Sequence, residues 1–181
     1  MSKMGTDVVC HIAMVVDDVE KVAANWAKIF GFEMPEIQYV PPTEKTPAFY
    51  RGSRGDYSDC KLAVFHFNNQ LNVEMVQPGE APSPWKETYE KNGGNGFQHM
   101  SFIVPDLEEA YNALQEIGAP EPYHVGYNKT RTYSFVDTTE QLGIEFNVKC
   151  DLDNTPIIDY VNEHPEKMVK GKEIMKNKLD V

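Results

Sequence analysis

Two short segments of this chain carry the same residue types in the same order. Residues 11–20 read HIAMVVDDVE and residues 99–108 read HMSFIVPDLE. At an offset of 88 residues they share His11/His99, Val16/Val104, Asp18/Asp106 and Glu20/Glu108. Each copy later meets an apolar run holding a glutamate, LNVEMV around Glu74 and LGIEFN around Glu145. Two imidazoles and two carboxylates form a mixed N/O donor set. That set suits one divalent ion such as Zn, Ni, Co, Mn or Fe, without choosing among them. If the two units pack face to face, His11, Glu74, His99 and Glu145 converge on one cation. Two adjacent open positions of an octahedral shell would then accept a substrate through neighbouring oxygens. A lone strand histidine is more often a satisfied polar residue, and a lone strand glutamate usually faces water. What favours ligation is that both types recur in both copies, on runs otherwise apolar. A carboxylate buried there is unfavourable unless paired or coordinated.

Strands and helices must position these groups. Val8–Val16 is β-rich, and alternation places His11, Ala13 and Val15 on one face. Cys10, Ile12 and Met14 fall on the other, so Cys10 cannot share an ion with His11. Asp17 or Asp18 caps a helix with the apolar stripe Val22, Trp26, Ile29 and Phe30, ended by Gly31. Residues 33–59 hold four prolines and the polar run RGSRGDYSD, and read as loops around one strand near Phe49–Tyr50. Lys61–Phe67 and Leu71–Val76 form a hairpin turning at Asn68-Asn69. Pro78–Pro84 is a linker, and Trp85–Lys91 is a short helix stopped by Gly93-Gly94. The second unit repeats the scheme. Gln98–Val104 is a strand, Asp106 caps a helix running to Gly118, and Thr132–Val136 and Gly143–Val148 close the unit. Thr155 caps a helical turn with Pro156 at its first position, and Pro165 separates it from a Lys-rich final helix. His66, on the face away from Glu74, is assigned a structural or surface role, as are His124 and His164 in loop and tail.

Composition narrows the function. Apolar residues make up 41 % of the 181, enough for a globular core. The three cysteines are scattered without a CxxC pair, which points to a reducing compartment. The start, MSKMGTDVV, has no apolar stretch of secretory length, and Val8–Val16 is too short to span a bilayer. A cytoplasmic protein is expected, with no membrane partner. The formal net charge of −11 repels phosphate backbones and excludes nucleic acid as an expected partner.

The doubled unit, with His and Glu at those points, resembles the vicinal oxygen chelate superfamily, which includes glyoxalase I, methylmalonyl-CoA epimerase, extradiol dioxygenases and bleomycin-resistance proteins. The strings that carry the resemblance are HIAMVVDDVEKVAANWAKIFGF, VEMVQPGEAPSPWKETYEKNGGNGFQHMSFIVPDLEEA and YSFVDTTEQLGIEF. The resemblance implies an α+β fold. Two tandem βαβββ modules, residues 7–78 and 97–150, would form a curved, partly closed mixed sheet around a metal cavity. Residues 79–96 would be a linker with a short helix, and residues 151–181 a C-terminal helical tail. It implies His11, Glu74, His99 and Glu145 as ligands of one divalent ion. It also implies a metal-dependent lyase or isomerase of the glyoxalase or epimerase type, acting by proton abstraction beside a chelated carbonyl. By analogy Glu145 is the base, and Glu74 is the acid/base for the opposite face. The substrate would carry adjacent oxygens as a glutathione or CoA conjugate, with Arg131 and Lys129 as the cations meeting the carrier. Glu44 is the nearest counterpart of the epimerase's separate glutamate. A homodimer is expected. The alternatives are an extradiol-type dioxygenase and a non-catalytic binding protein of the bleomycin-resistance type.

Overall fold

The computed structural model describes residues 1–67 and 71–165. The chain begins with β1 (Val9–Val15), α1 (Val19–Phe30), β2 (Gln38–Tyr39), β3 (Ala48–Tyr50), β4 (Ser53–Gly55), β5 (Lys61–Phe67) and β6 (Leu71–Gln77). After α2 (Pro84–Asn92) come β7 (Gly96–Ile103), α3 (Leu107–Glu116), β8 (His124–Asn128), β9 (Arg131–Val136), α4 (Thr139–Leu142), β10 (Glu145–Asp151) and α5 (Thr155–Glu163). The described strands form one curled mixed sheet, ordered β2-β5-β6-β1-β7-β10-β9-β8-β3-β4. The first half therefore runs β2-β5-β6-β1 and the second runs β8-β9-β10-β7, the same order twice. The halves meet where β1 and β7 pair antiparallel.

Local chemistry explains the element ends. The Asp18 side chain accepts from the Lys21 N–H and opens α1, and Gly31 closes it in the left-handed region at φ 68°. Asp106 does the same for α3 through the Glu109 N–H. Ser83 caps α2, with Pro84 in its first turn. α1 covers the outer side of the first half, where Val19, Ala23, Ala63, Phe65 and Met75 form one buried cluster. Trp26 joins it, stacked on Phe65 at 6.2 Å, whereas Ile29 and Phe30 at the end of the expected stripe are exposed. α3 covers the second half through Ala110, Tyr111 and Leu114 against Val136 and Val148.

Several expectations need correction. His124, read as a loop residue, opens β8 (His124–Asn128) and is fully buried. The segment near Phe49 is a hairpin of two short strands, β3 and β4, and the other edge of β3 pairs with β8 of the second half. Alternation along β1 fails at Cys10. A register shift between Val9 and His11 turns its thiol toward Ser101, whose carbonyl and hydroxyl oxygens each lie 3.3 Å away. His66 lies on the same face as Glu74, because β5 sets Val64 opposite Glu74 and His66 opposite Asn72. It is exposed at the far end, with Nδ1 2.6 Å from Asn72 Oδ1. The helix predicted from Thr155 is capped one residue earlier, by Asn154. The Asn68-Asn69 turn and the Lys-rich final helix lie outside the described residues. Among the described residues no helix is long and apolar enough to cross a membrane.

Candidate metal centre

Strand register builds the site. β1 lies between β6, its parallel neighbour, and β7, its antiparallel one. One row of laterally paired residues reads Glu74, Ala13, His99, Glu145 across β6, β1, β7 and β10. The next row reads Asn72, His11, Ser101, Asn147. Paired residues in a sheet point to one face, so all the polar groups of both rows stand on the concave side. There His11, Glu74 and His99 each offer a ligand atom, and these atoms lie within 4.8 Å of one another. The three line a cavity of about 170 Å³ whose walls include Trp85, Tyr133 and Phe135.

The electrostatics suit ligation. Burial lowers the His11 imidazole to about 3, helped by the Lys149 and Arg131 charges, and lowers His99 well below its ordinary range. Both rings are therefore neutral at physiological pH, the form that binds metal. Burial also raises the Glu74 carboxyl, a shift the Lys149 charge opposes. His99 Nδ1 lies 3.2 Å from Gln98 Oε1, and Gln98 can only accept there. That contact fixes the His99 proton on Nδ1 and turns the Nε2 lone pair inward, as an orienting partner does for a metal-bound histidine. His11 Nε2 and His99 Nε2 are 2.8 Å apart. This donor set fits a borderline divalent ion held by His11, Glu74 and His99.

Glu145 is placed apart from these three. It stands across from His99, but it is not among the atoms within 4.8 Å and does not line the cavity. Its Oε2 accepts from the Tyr123 hydroxyl at 2.7 Å, and its Oε1 has no partner among the described residues. Burial lifts this carboxyl to about 7; the Tyr123 hydrogen bond opposes the shift and Asp137 adds to it. Asn147, two residues further along β10, occupies the position related to Glu74. It accepts from Ser101 Oγ at 2.8 Å and donates to the Ser134 carbonyl at 2.9 Å. Lys149 completes the face and lines the cavity, its Nζ 3.4 Å from His11 Nδ1. Sequence reading missed Asn147 and Lys149. The alternation of EFNVKCD, which sets residues 145, 147 and 149 on one face, was the signal available.

The other candidates lie elsewhere. Arg131 pairs with Asp151 at 2.6 Å. Lys129 sits at the β8–β9 turn, where its carbonyl accepts from the Asn154 N–H. Glu44 is exposed, its carbonyl held by the Asn162 side chain, although Val40, Pro41 and Thr46 of the same loop line the cavity. His124 stands behind the cavity among Tyr57, Trp85, Tyr133 and Phe135, and neither ring nitrogen has a partner among the described residues.

Relatives share this arrangement of strands. The chain is 27% identical over 109 residues, 60% of its length and 69% of the relative's, to an ethylmalonyl-CoA/methylmalonyl-CoA epimerase of Cereibacter sphaeroides. Its fold matches methylmalonyl-CoA epimerase from Mycobacterium tuberculosis with a TM-score of 0.55 at 13% identity, covering 87% of this chain and 96% of that one. It also matches a Streptomyces coelicolor methylmalonyl-CoA epimerase variant in complex with 2-nitronate-propionyl-CoA, with a TM-score of 0.53 at 14% identity over 80% and 96% of the two chains. The family model described as Glyoxalase/Bleomycin resistance protein/Dioxygenase superfamily matches residues 10–135, from the strand that holds His11 through the one that holds Phe135. The chain belongs to the glyoxalase/bleomycin resistance protein/dioxygenase superfamily.

Proposed function

We propose that this protein is a metal-dependent isomerase of the acyl-CoA epimerase type, relocating a proton on the carbon beside a thioester carbonyl. The observation that carries the reading is the meeting of His11, Glu74 and His99 at one cavity, on a fold shared with epimerases. His11, Glu74 and His99 would hold a divalent ion, which when bound would supply Lewis acidity toward the substrate's carbonyl. Glu145, paired laterally with the cavity-lining His99, is the proposed base. With its carboxyl near 7 it is substantially ionised at neutral pH, and it is still basic enough to take a carbon-bound proton from an activated substrate. Tyr123 orients it through Oε2 and leaves Oε1 free. Glu74, in the same row across β1 and β7, would serve the other face of the carbon. Trp85, Tyr133 and Phe135 keep water from the reacting carbon. Arg131 and Lys129, on β9 and the turn before it, are the proposed contacts for the anionic carrier.

The test is exchange in D2O. Metal-loaded protein given a 2-methyl-branched malonyl-CoA thioester should exchange the proton at C2 for deuterium and racemise that centre. A metal-loaded sample that leaves C2 protonated overturns the reading. A second reading, oxygenase chemistry, is favoured by the donor count: two histidines and one carboxylate are the set of non-haem iron oxygenases. Oxygen uptake with a catechol and ferrous iron would establish it.

A further inference from the structure

Lys149 is a cation inside the cavity that would hold another cation. Its Nζ contacts His11 Nδ1 at 3.4 Å; it forms no ion pair within 4.0 Å among the described residues, and the Glu74 carboxylate attracts it from further off. An ammonium can only donate. His11 Nδ1 therefore accepts, and the proton of the neutral ring sits on Nε2. From there it donates to His99 Nε2 at 2.8 Å, and His99 Nδ1 donates to Gln98 Oε1 at 3.2 Å. Donors thus run one way, from Lys149 through His11 and His99 to Gln98. Ligation demands the reverse at His11. Its Nε2 lone pair must face the ion, which puts the ring proton on Nδ1, donor to donor against Lys149. The ion and the ammonium also repel across a few ångströms in a poorly screened space.

We propose that Lys149 couples cation binding to an anionic substrate group. It weakens cation binding in the free protein, and it stops doing so when a substrate carboxylate draws its ammonium off His11. This rests on the reading of His11, Glu74 and His99 as the metal centre. Charge counting names the substrate class. Two neutral imidazoles and one carboxylate leave a divalent ion with one net positive charge, and Lys149 adds a second. A dianionic chelate neutralises both. An acyl thioester bearing a free carboxylate becomes such a dianion when its α-proton leaves, so Lys149 is a specificity-determining residue for carboxylated acyl groups.

The experiment titrates cobalt(II) into metal-free wild type, Lys149→Met and Lys149→Gln, with and without malonate as the probe, reading the cobalt absorption bands. Saturating malonate should tighten cobalt binding by wild type about tenfold or more, a normal size for coupling between ligands. Both variants should bind cobalt about tenfold more tightly than wild type without malonate, and should lose most of malonate's effect. Thermal unfolding of each variant shows that it is folded, and the apolar and polar replacements guard against a side effect of either. Variants that match wild type in both cobalt affinity and malonate response overturn the coupling. Failure of all three proteins to bind cobalt overturns the metal centre itself, and the coupling with it.

Discussion

In the first half of the sheet, β6 sets Glu74 beside Ala13, two residues beyond His11 on β1. In the second half, β10 sets Asn147 beside Ser101, two residues beyond His99 on β7. The backbone frames correspond position for position, so the counterpart of Glu74 is an amide and the counterpart of Glu145 is Asn72. The first half contributes a histidine and a carboxylate to the cluster, and the second a histidine alone. The second half keeps its glutamate one pleat away, bound to Tyr123 and lifted toward neutrality. Duplication of a fold thus preserves where side chains can stand while letting each half assign them to different work. In the proposed reading one carboxylate holds a cation and the other moves a proton.

The sharpest way to break this division is to neutralise each carboxylate in turn. Glu145→Gln should lower turnover by about 10²–10⁴-fold, the usual worth of a general base, while cobalt uptake stays at wild-type level. Glu74→Gln should instead lose cobalt uptake, measured by titration. Equal metal loss in both variants would place Glu145 among the ligands and erase the contrast. A smaller effect comes from making the halves alike. Asn147→Asp should raise cobalt affinity about tenfold by supplying a second carboxylate. It should also lower stability by about 1 kcal/mol, because the Ser134 carbonyl loses its side-chain donor. A further effect concerns pH. The folded state holds the Glu145 carboxyl near 7, whereas an unfolded chain holds it near the ordinary glutamate value of about 4.3. Between those values the folded protein binds more protons, so this group's contribution is full below about 4.3 and is lost as pH rises through 7. Glu145→Gln should remove that decline, worth about 2 kcal/mol, as seen by urea unfolding of both proteins at pH 5 and pH 8.

Much of this frame was legible in the chain, and the reasons are local. Asp18, Gly31 and Asp106 mark helix ends by hydrogen bonds spanning three or four residues, and β1, β5, β6 and β9 are apolar runs bounded by polar turns. Two of the cluster's three members, His11 and His99, stood out because a duplicated string points at them. What sequence could not supply was register between distant strands. LNVE and LGIE look equivalent as strings, yet β10 is set two residues further along relative to β7 than that likeness suggests. The same blindness hid Lys149, whose importance lies in an approach to His11 across 138 residues. It also placed His66 on the wrong face and left β3 without its partner on β8, since that pairing joins segments with no shared pattern.

The hairpin of β3 and β4 has a further consequence. It prolongs the ribbon past β8, so that the outermost strands are β2 and β4, of two and three residues. An edge that brief offers an arriving strand only a couple of backbone hydrogen bonds, too few to seed growth of a larger sheet. Without the hairpin, the five-residue β8 would be left open along its length. The small excursion at residues 48–55 therefore covers three of the five residues of β8 and ends that side of the sheet in a strand of only three residues.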